Sequence, residues 1–522
     1  MLARLPAVLL ALATLAGCVT LPGGTLTVLS DGSARVVDEA GQPVPYAAAT
    51  FLLGELVVAR LSAAADGTLP PVSSTFDAAV VSAPGFEART LHPRELSGDV
   101  ALRAQDGLSA EDASPLLRLL PPHTFERYVF GPEPLCGVRN SCGLSEPVIE
   151  AAAGGVLYAS SVCCIGGSPP VWVSRDAGAT WEHLRTPGVR EAVGIEGDIA
   201  IDAAGNVYFT DILLGAMWIT SWDAEGNWRH STLVPFEPLV DRPWVRAGAE
   251  DVVYFLYNTG RVTNFHVSTD GGRTFLPVPA RVFPAPLGTL AQGTDLEHLV
   301  VVAGGTLYES TDGGATWSDG EKVPTPKAGG SSSYGFWVPA IDAAGRVLVA
   351  YDRGSTERGY GVFAAIRELD GTWRVREVSP PNGTHVHVWP EAGPAGGFAL
   401  AWYGVDLEAT NPDAVAEDAP WHVYLATTHD AGETWQLARA DPEPVLHGPM
   451  ARRLLDFLQV DLDERGAAHL VYAHNRDGTR AEMTSYTRST VGLGLPQLAP
   501  DAGAPSGRNA LHLYGSAALD LA

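Results

Sequence analysis

The chain has 522 residues, a formal net charge of −26 at pH 7 and 46% hydrophobic residues, a content that excludes a largely disordered protein. Its 57 glycines and 39 prolines are spread along the sequence, which favours an all-β fold of short strands over a helical bundle. Because 60 acidic residues outnumber 34 Lys and Arg, phosphate backbones would repel the chain, and a nucleic-acid partner is not expected.

Residues 1–17 have the composition of an export signal. The apolar run from Leu5 to Leu15 is shorter than the roughly 20 residues of a membrane-spanning helix. The ending Leu15-Ala16-Gly17-Cys18 resembles the bacterial lipobox, in which the cysteine is lipidated and becomes the N-terminus. The resemblance implies that acylated Cys18 holds the protein to a lipid bilayer through a tether of residues 18–24. We expect the outer membrane or the cell surface of a bacterium; an ordinary signal peptide is the alternative.

Residues 25–104 show short apolar runs separated by Gly, Pro and Asp turns, the pattern of strands and hairpins. Three phrases, at 36–44, 65–68 and 81–87, resemble the carboxypeptidase regulatory-like domain, a transthyretin-like β-sandwich. This resemblance implies a spacer or adhesion module rather than an enzyme. Residues 105–125 are predicted to form a linker with a short helix at 110–120.

An eight-residue phrase recurs beyond the linker. It reads Ser-Arg-Asp-Ala-Gly-Ala-Thr-Trp at 174–181, and related octets begin at residues 268, 310 and 428. The aspartates of these octets and of three degenerate copies are 42 to 60 residues apart: Asp176, Asp223, Asp270, Asp312, Asp370, Asp430 and Asp477. This is the spacing of propeller blades, so we predict a β-propeller over residues 126–493 with seven blades, or six or eight if the count is wrong by one. Within the tail at 494–522, residues 510–514 could add a closing strand.

The octet resembles the Asp box (BNR repeat) of sialidases and other Asp-box propellers. The resemblance implies that the carboxylate accepts backbone N–H bonds in the turn between the third and fourth strands of a blade. It also implies a structural rather than a catalytic role for Asp176, Asp270, Asp312 and Asp430. A second repeated phrase, represented by residues 201–208, is predicted to be the hairpin that joins the two inner strands of a blade.

Four cysteines remain after Cys18, namely Cys136, Cys142, Cys163 and Cys164. An even number of cysteines in an exported chain predicts disulfides. Adjacent cysteines are awkward to bridge to each other, so we expect Cys163 and Cys164 each to pair with one of the other two. A zinc site of four thiolates is the alternative.

Candidate ligand-binding residues precede the predicted inner strands, at the mouth of the central channel. They are Glu146, Asp198, Asp241, Arg242, Trp244, Trp389 and Asp456. Carboxylates with one arginine and two tryptophans could bind a sugar by stacking and hydrogen bonds, or a calcium ion through carboxylate oxygens. No metal or cofactor other than calcium is predicted at the channel mouth. The competing interpretation is that these residues cap strand ends. His385 and His387 are expected to be exposed on one side of a strand.

We therefore expect a surface lipoprotein whose propeller binds or scaffolds glycans or protein partners. The alternative is a glycoside hydrolase of the exo-α-sialidase type. The sialidase resemblance implies an arginine trio, a Tyr–Glu pair and an aspartic acid, but the Arg-Ile-Pro phrase that carries the first arginine does not occur. Tyr351, Tyr360 and Tyr472 are the available tyrosines, and no catalytic residue is identified. Replacing Arg242 and Trp244 by alanine is expected to abolish ligand capture without unfolding the protein.

Overall fold

The computed structural model describes short segments between residues 19 and 102 and most of residues 125–489. The described residues are 19–21, 24–26, 34–38, 41, 48–53, 56–62, 68–69, 78–82, 89–91, 99–102, 125–130, 145–162, 171–184, 186, 196–213, 216–234, 240–326, 335–354, 359–380, 383–441, 443–450, 453–454, 456–463, 466–476 and 483–489. The export segment, the five cysteines, the linker helix and the tail lie outside them, so the corresponding predictions stay predictions. Within the described part, no helix is long and apolar enough to cross a bilayer.

The N-terminal segments are all strands. A hairpin of β1 (Val19–Leu21) and β2 (Gly24–Leu26) precedes a parallel pair, β3 (Arg35–Asp38) with β8 (Asp99–Leu102). An antiparallel sheet has the order β5-β4-β6-β7, formed by β4 (Ala48–Leu53), β5 (Leu56–Ser62), β6 (Ala78–Ser82) and β7 (Arg89–Leu91). Ala49 and Phe51 of β4 and Ala79 and Val81 of β6 are buried, as in a sheet with one face on a core. The carboxypeptidase regulatory-like resemblance stays a prediction.

Residues 125–489 form a seven-bladed β-propeller, as predicted, with four antiparallel strands in chain order along blades 1 to 6. Blade 1 contains β10 (Ser145–Ala151), β11 (Leu157–Val162), β12 (Val171–Ser174) and β13 (Glu182–His183). Blade 2 contains β14 (Ile199–Ile201), β15 (Val207–Leu213), β16 (Ala216–Trp222) and β17 (Trp228–Val234). Blade 3 contains β18 (Asp241–Ala247), β19 (Val253–Asn258), β20 (Thr263–Ser268) and β21 (Arg281–Phe283).

Blade 4 contains β22 (Thr289–Gln292), β23 (Leu299–Ala303), β24 (Thr306–Ser310) and β25 (Glu321–Lys322). Blade 5 contains β26 (Val338–Ile341), β27 (Val347–Gly354), β28 (Tyr360–Arg367) and β29 (Trp373–Glu377). Blade 6 contains β30 (Thr384–Ala392), β31 (Phe398–Val405), β32 (Pro420–Thr428) and β33 (Gln436–Arg439), and β34 (Leu446–His447) also pairs with β32. The helices among the described residues are single 3-10 turns at Ala153–Gly155 and Pro412–Ala414.

Blade 7 is built from both ends of the propeller. Its inner strands are β35 (Gln459–Leu462), β36 (Ala468–His474) and β37 (Met483–Ser489), and its outer strand is β9 (Phe125–Phe130). In the register of β37 and β9, Thr484 lies opposite Phe130 and Ser489 opposite Phe125. Hydrogen bonds between the first and last strands therefore close the ring.

The repeated octets form the turns between the third and fourth strands. In blade 1, Thr180 donates to Asp176 from its amide (2.8 Å) and from its hydroxyl (2.6 Å), and the Gly178 amide donates to Ser174 Oγ. The same bonds recur around Asp270, Asp312 and Asp430. Since these turns lie at the end opposite the start of the inner strands, the four aspartates are remote from the channel mouth.

The second repeated phrase forms the turn between the first and second strands. Asp202 is fully buried there, and its carboxylate accepts the amides of Ala204 and Asn206 within the turn. It also accepts the amide of Asp251 from blade 3 at 2.9 Å. These turns therefore also join neighbouring blades. The degenerate copy at Asp477 falls between β36 and β37, the second and third strands of blade 7, so its predicted place between the third and fourth strands is wrong.

Candidate functional site

Three inner strands begin with the same irregularity. The pairing register of β10, β18 and β30 shifts by a β-bulge at their start. At each bulge a residue other than glycine has a positive φ: 46° at Glu146, 55° at Arg242 and 60° at His387. Such backbone is strained and clusters at functional sites, and a bulge changes where a side chain points. The chain therefore holds three polar residues in an unusual conformation at the channel mouth.

Arg242 is the centre of what we call the mouth cluster, formed by Arg242, Glu146, Glu196, Asp241 and Asp456. Its Nη1 donates to Glu196 Oε1 at 2.7 Å and lies 3.8 Å from Glu146 Oε1, and its Nη2 donates to Asp456. Asp241, whose side chain is 48% exposed, lies 3.4 Å away, whereas the other four side chains are at most 9% exposed. Acidic groups from several blades thus converge on one guanidinium.

The mouth cluster holds more buried negative charge than one arginine balances. Burial raises the pKa of Glu196 well above its usual range; Arg242 opposes this rise, and Glu146 and Asp241 add to it. Burial lowers the pKa of Arg242, but the surrounding carboxylates outweigh burial and raise it overall. These shifts favour the protonated form of Glu196 and the charged form of Arg242.

An aromatic layer lies next to the bulges, where Trp244 and Trp389 each follow a bulge residue by two positions and Phe457 directly follows Asp456. Trp244, Trp389 and Phe457 pack together with ring centroids 5.2 to 5.4 Å apart. Trp244 is 2% exposed and Trp389 is 4% exposed, and the Trp244 indole donates to the Gly288 carbonyl at 3.0 Å. Both tryptophans fill the channel core, so neither ring presents an open face on which a sugar could stack.

A second charged group lies deeper in the channel, which we call the inner cluster: Arg246, Glu150, Asp198, Glu391 and Asp461. Arg246 Nη1 donates to Asp198 Oδ2 at 2.8 Å. Burial raises the pKa of all four carboxyl groups, that of Glu391 to about 8 and that of Asp461 to about 6. Asp198, predicted to be at the mouth, therefore belongs to this deeper layer.

Sequence reasoning missed the rest of the inner cluster, although a signal exists. Glu150, Arg246 and Glu391 each follow a bulge residue by four positions. These three charged residues thus lie at equivalent positions of their inner strands, and this shared position is the signal of a common layer in the channel. It also missed Glu196, which is two residues before Asp198 and joins the mouth cluster instead.

A small cavity lies beside the mouth cluster. It is about the size of one water molecule and is lined by Phe336, Asp352, His387, Val388, Trp389, Asp456 and Phe457. The amide of His387 donates to Asp352 Oδ2 at 2.9 Å, and its ring Nδ1 bonds to the main-chain carbonyl of Asp456. Asp352 was not among the predicted site residues.

The two histidines of β30 differ from expectation. His385 is fully buried and His387 is 4% exposed, so the prediction that both are exposed on one side of a strand is wrong. The bulge after Val386 separates them. His385 accepts a hydrogen bond from Trp402 Nε1 at 3.1 Å, whereas His387 lies at the channel mouth.

Of the seven predicted residues, the structure brings Glu146, Asp241, Arg242 and Asp456 together. Trp244 and Trp389 lie in the aromatic layer and Asp198 in the inner cluster. In the described part of the chain, no group of three or more His, Cys, Asp or Glu side chains is arranged to hold a metal ion.

Two of the three candidate tyrosines of a sialidase site lie away from the mouth cluster. Tyr351 donates to the Pro324 carbonyl and Tyr472 to Asp441, so neither hydroxyl lies in the mouth cluster. Arg242 is already paired with carboxylates, and Arg246 with Asp198.

Glycoside hydrolases are among the known proteins to which this chain is similar. No protein-family model matches the sequence. The chain is 24% identical over 285 residues to the oligoxyloglucan-reducing end-specific xyloglucanase of Emericella nidulans, a match that covers 48% of this chain and 31% of that enzyme. The chain thus spans about a third of the length of this curated relative.

Solved structures with a similar fold include an ancestral GH74 enzyme, at 12% identity and a TM-score of 0.40 over 68% of this chain and 47% of the other. The NanB sialidase of Streptococcus pneumoniae matches at 10% identity and a TM-score of 0.33, over 53% and 68% of the two chains. A putative TolB of Agrobacterium tumefaciens matches at 11% identity and a TM-score of 0.33, over 59% and 94%.

Proposed function

We propose that this protein is a glycoside hydrolase that acts on neutral glycans at the channel mouth. The observation that carries the proposal is the convergence of three buried carboxyl groups, Glu146, Glu196 and Asp456, on Arg242. Paired carboxyl groups with different pKa values are the chemistry of glycosidic bond hydrolysis. The similarity to part of a xyloglucanase supports the same class of reaction.

The carboxyl groups have distinct roles in this proposal. Glu196, whose pKa burial raises, donates its proton to the glycosidic oxygen as the bond breaks. The carboxyl group of Asp456, bonded to Arg242 Nη2, stabilises the positive charge that develops on the sugar ring. Arg242 bonds to both groups and holds them in place.

The charge of the site favours a neutral substrate. The guanidinium of Arg242 is already bonded to Glu196 and Asp456, so it offers no free cation for the carboxylate of a sialic acid. The chain carries a net charge of −26, which also repels anionic sugars. The glycoside hydrolase that we propose is therefore not a sialidase.

The proposal is tested by incubating the protein with neutral oligosaccharides, xyloglucan fragments among them, and with a fluorogenic sialoside. We expect turnover of a neutral glycan, and a loss of about 100-fold or more in kcat for Glu196→Gln, the usual contribution of a general acid. Glu225→Gln, at an exposed turn of blade 2, is the matched control and should keep full activity. No turnover of any neutral glycan, or full activity of Glu196→Gln, would contradict the proposal.

A second candidate is a binding module without catalysis. It is favoured by the narrowness of the mouth, since the cavity there admits about one water molecule and Glu196 is 5% exposed. In that case a glycan array or a partner pull-down would show capture without turnover, and Glu196→Gln would still capture the ligand.

We also propose that acylated Cys18 anchors the protein to the outer membrane or cell surface. The lipobox resemblance at residues 15–18 supports this location. Replacement of Cys18 by serine should move the protein from the membrane fraction to the soluble fraction of cells, and an unchanged distribution would contradict the anchor.

A further inference from the structure

We propose that His387 is the proton acceptor of the channel mouth, taking a proton from a water molecule in the adjoining cavity. This inference rests on the proposed hydrolysis and adds the group that activates water. Two observations point to it: His387 lines a cavity of about one water molecule, and a strained backbone holds it there.

The hydrogen bond of the ring determines its tautomer. His387 Nδ1 bonds to the main-chain carbonyl of Asp456, and a carbonyl oxygen can only accept. Nδ1 must therefore carry the hydrogen, and the neutral ring then has its lone pair on Nε2. An imidazole fixed in this form is a ready base, as its second nitrogen has no proton to lose first.

The backbone of His387 is held on both sides of the ring. Its φ of 60° is unusual for a residue with a side chain, and its amide donates to Asp352 Oδ2 at 2.9 Å. Asp352 and Asp456 come from the segments of blades 5 and 7 that flank blade 6.

Asp456 connects His387 to the acid. Its side chain bonds to Arg242, which holds Glu196, and its main-chain carbonyl bonds to His387. In the reaction, the water oxygen bonds to the anomeric carbon and the glycosidic C–O bond breaks. The leaving oxygen takes the proton of Glu196, and His387 Nε2 takes a proton from the water, so the proton count balances.

His385 provides a control within the same strand. Its Nδ1 accepts from Trp402 Nε1, and an indole N–H can only donate. The neutral ring of His385 therefore carries its hydrogen on Nε2, the opposite tautomer to that of His387. His385 and His387 should therefore show opposite tautomers in one nitrogen NMR spectrum.

The first experiment is nitrogen NMR of the intact chain labelled at histidine. We expect the His387 signal to report hydrogen on Nδ1, and expect this signal to disappear in His387→Asn. A signal for His387 with hydrogen on Nε2 would overturn the inference, whatever the substrate.

The second experiment measures hydrolysis of the neutral glycan by His387→Asn. Asparagine tolerates a positive φ, and its amide N–H can still donate to the Asp456 carbonyl, but it has no basic nitrogen. We expect kcat to fall about 100-fold with little change in KM. His230→Asn, on the outer strand of blade 2, is the matched control and should be fully active.

The outcomes separate the two proposals. Turnover by the intact protein with unchanged kcat in His387→Asn would overturn the role of His387 and leave the proposed function standing. No turnover by the intact protein would overturn the proposed function, and the role of His387 in it.

Discussion

Arg242 shows how a single residue can hold together the carboxyl groups of a whole channel mouth. It is 7% exposed and contacts carboxyl groups that come from blades 1, 2 and 7, while its guanidinium also lies 5.2 Å from the Phe336 ring. A buried ion pair contributes little net stability, but removal of one partner leaves the buried charge of the other without a counter-charge. The arginine is therefore needed by the fold as well as by the site.

Replacing Arg242 by methionine should destabilise the protein by about 3–5 kcal/mol, because buried carboxylates lose their counter-charge. The measurement is the free energy of unfolding by denaturant. Arg281→Met, which removes an exposed arginine on β21, should cost within about 0.5 kcal/mol. Equal stability of the two variants would contradict the charge balance described for the mouth cluster.

The double replacement of Arg242 and Trp244 by alanine is consequently not expected to leave the fold intact. Trp244 is 2% exposed within the aromatic layer, and truncation of a buried tryptophan costs about 3–5 kcal/mol by itself. Loss of ligand capture by that variant would report unfolding rather than a binding contact, so Glu196→Gln is the more informative change.

At the scale of elements, the Asp-box turn does more than reverse the chain. Gly314 has a φ of 85° and lies against the ring of Phe265 from blade 3, so that a Cβ at this position would overlap the ring. Gly178 and Gly432 meet side chains of their preceding blades in the same way. The glycine of the octet is thus required by contact between blades as well as by backbone conformation.

Gly314→Ala should therefore lower the unfolding free energy by more than Gly371→Ala. Gly371 has a similar φ of 82°, but nothing lies within 4 Å of its added Cβ, so it reports the backbone cost alone. The overlap of the added Cβ with the Phe265 ring should lower the unfolding free energy of Gly314→Ala by about 1–3 kcal/mol beyond the backbone cost. Denaturant unfolding of the two variants checks this; equal losses would show that the blade contact can adjust freely.

The elements also show what sequence can and cannot predict. The octets at Asp176, Asp270, Asp312 and Asp430 indicated blades because a turn's hydrogen bonds are local and leave a local pattern. The bulges at Glu146, Arg242 and His387 depend on pairing between strands, so only the structure reveals that these three positions are equivalent. The convergence of Glu196 and Asp456, 260 positions apart, likewise depends on ring closure.

For the whole molecule, the predicted blade number is confirmed although one of its seven markers was misplaced. Asp477 precedes β37 rather than following it. Blade 7 has no third-to-fourth turn, because its fourth strand is β9 from the other end of the propeller. Regular spacing therefore predicted how many sheets the ring holds, but not which segment completes the last one.

The inner cluster should make the stability of the whole propeller depend on pH. Burial raises the folded-state pKa of Glu391 to about 8 and of Asp461 to about 6, above their ordinary values of 4.5 and 3.8. The folded protein then keeps protons that the unfolded chain releases, so this stability is present at low pH and lost as pH rises to about 8.

We expect the unfolding free energy to be lower at pH 8 than at pH 5, and the difference to shrink in Glu391→Gln, which cannot ionise. Glu321→Gln, at an exposed site on β25, is the control and should keep the pH dependence of the unchanged protein. Denaturant unfolding at a series of pH values provides the measurement. Stability that rises between pH 5 and 8 would contradict this assignment.

The pairing of β9 with β37 has a consequence for how the chain reaches its native state. The partners are about 360 residues apart in sequence. β9 is synthesised first but can pair only after β37 has been synthesised, and contacts between such distant residues form slowly. Until then blade 7 leaves an unpaired edge that invites association with other chains. A circular permutant that carries residues 125–130 after residue 489 should refold faster and aggregate less, as stopped-flow fluorescence and light scattering would show.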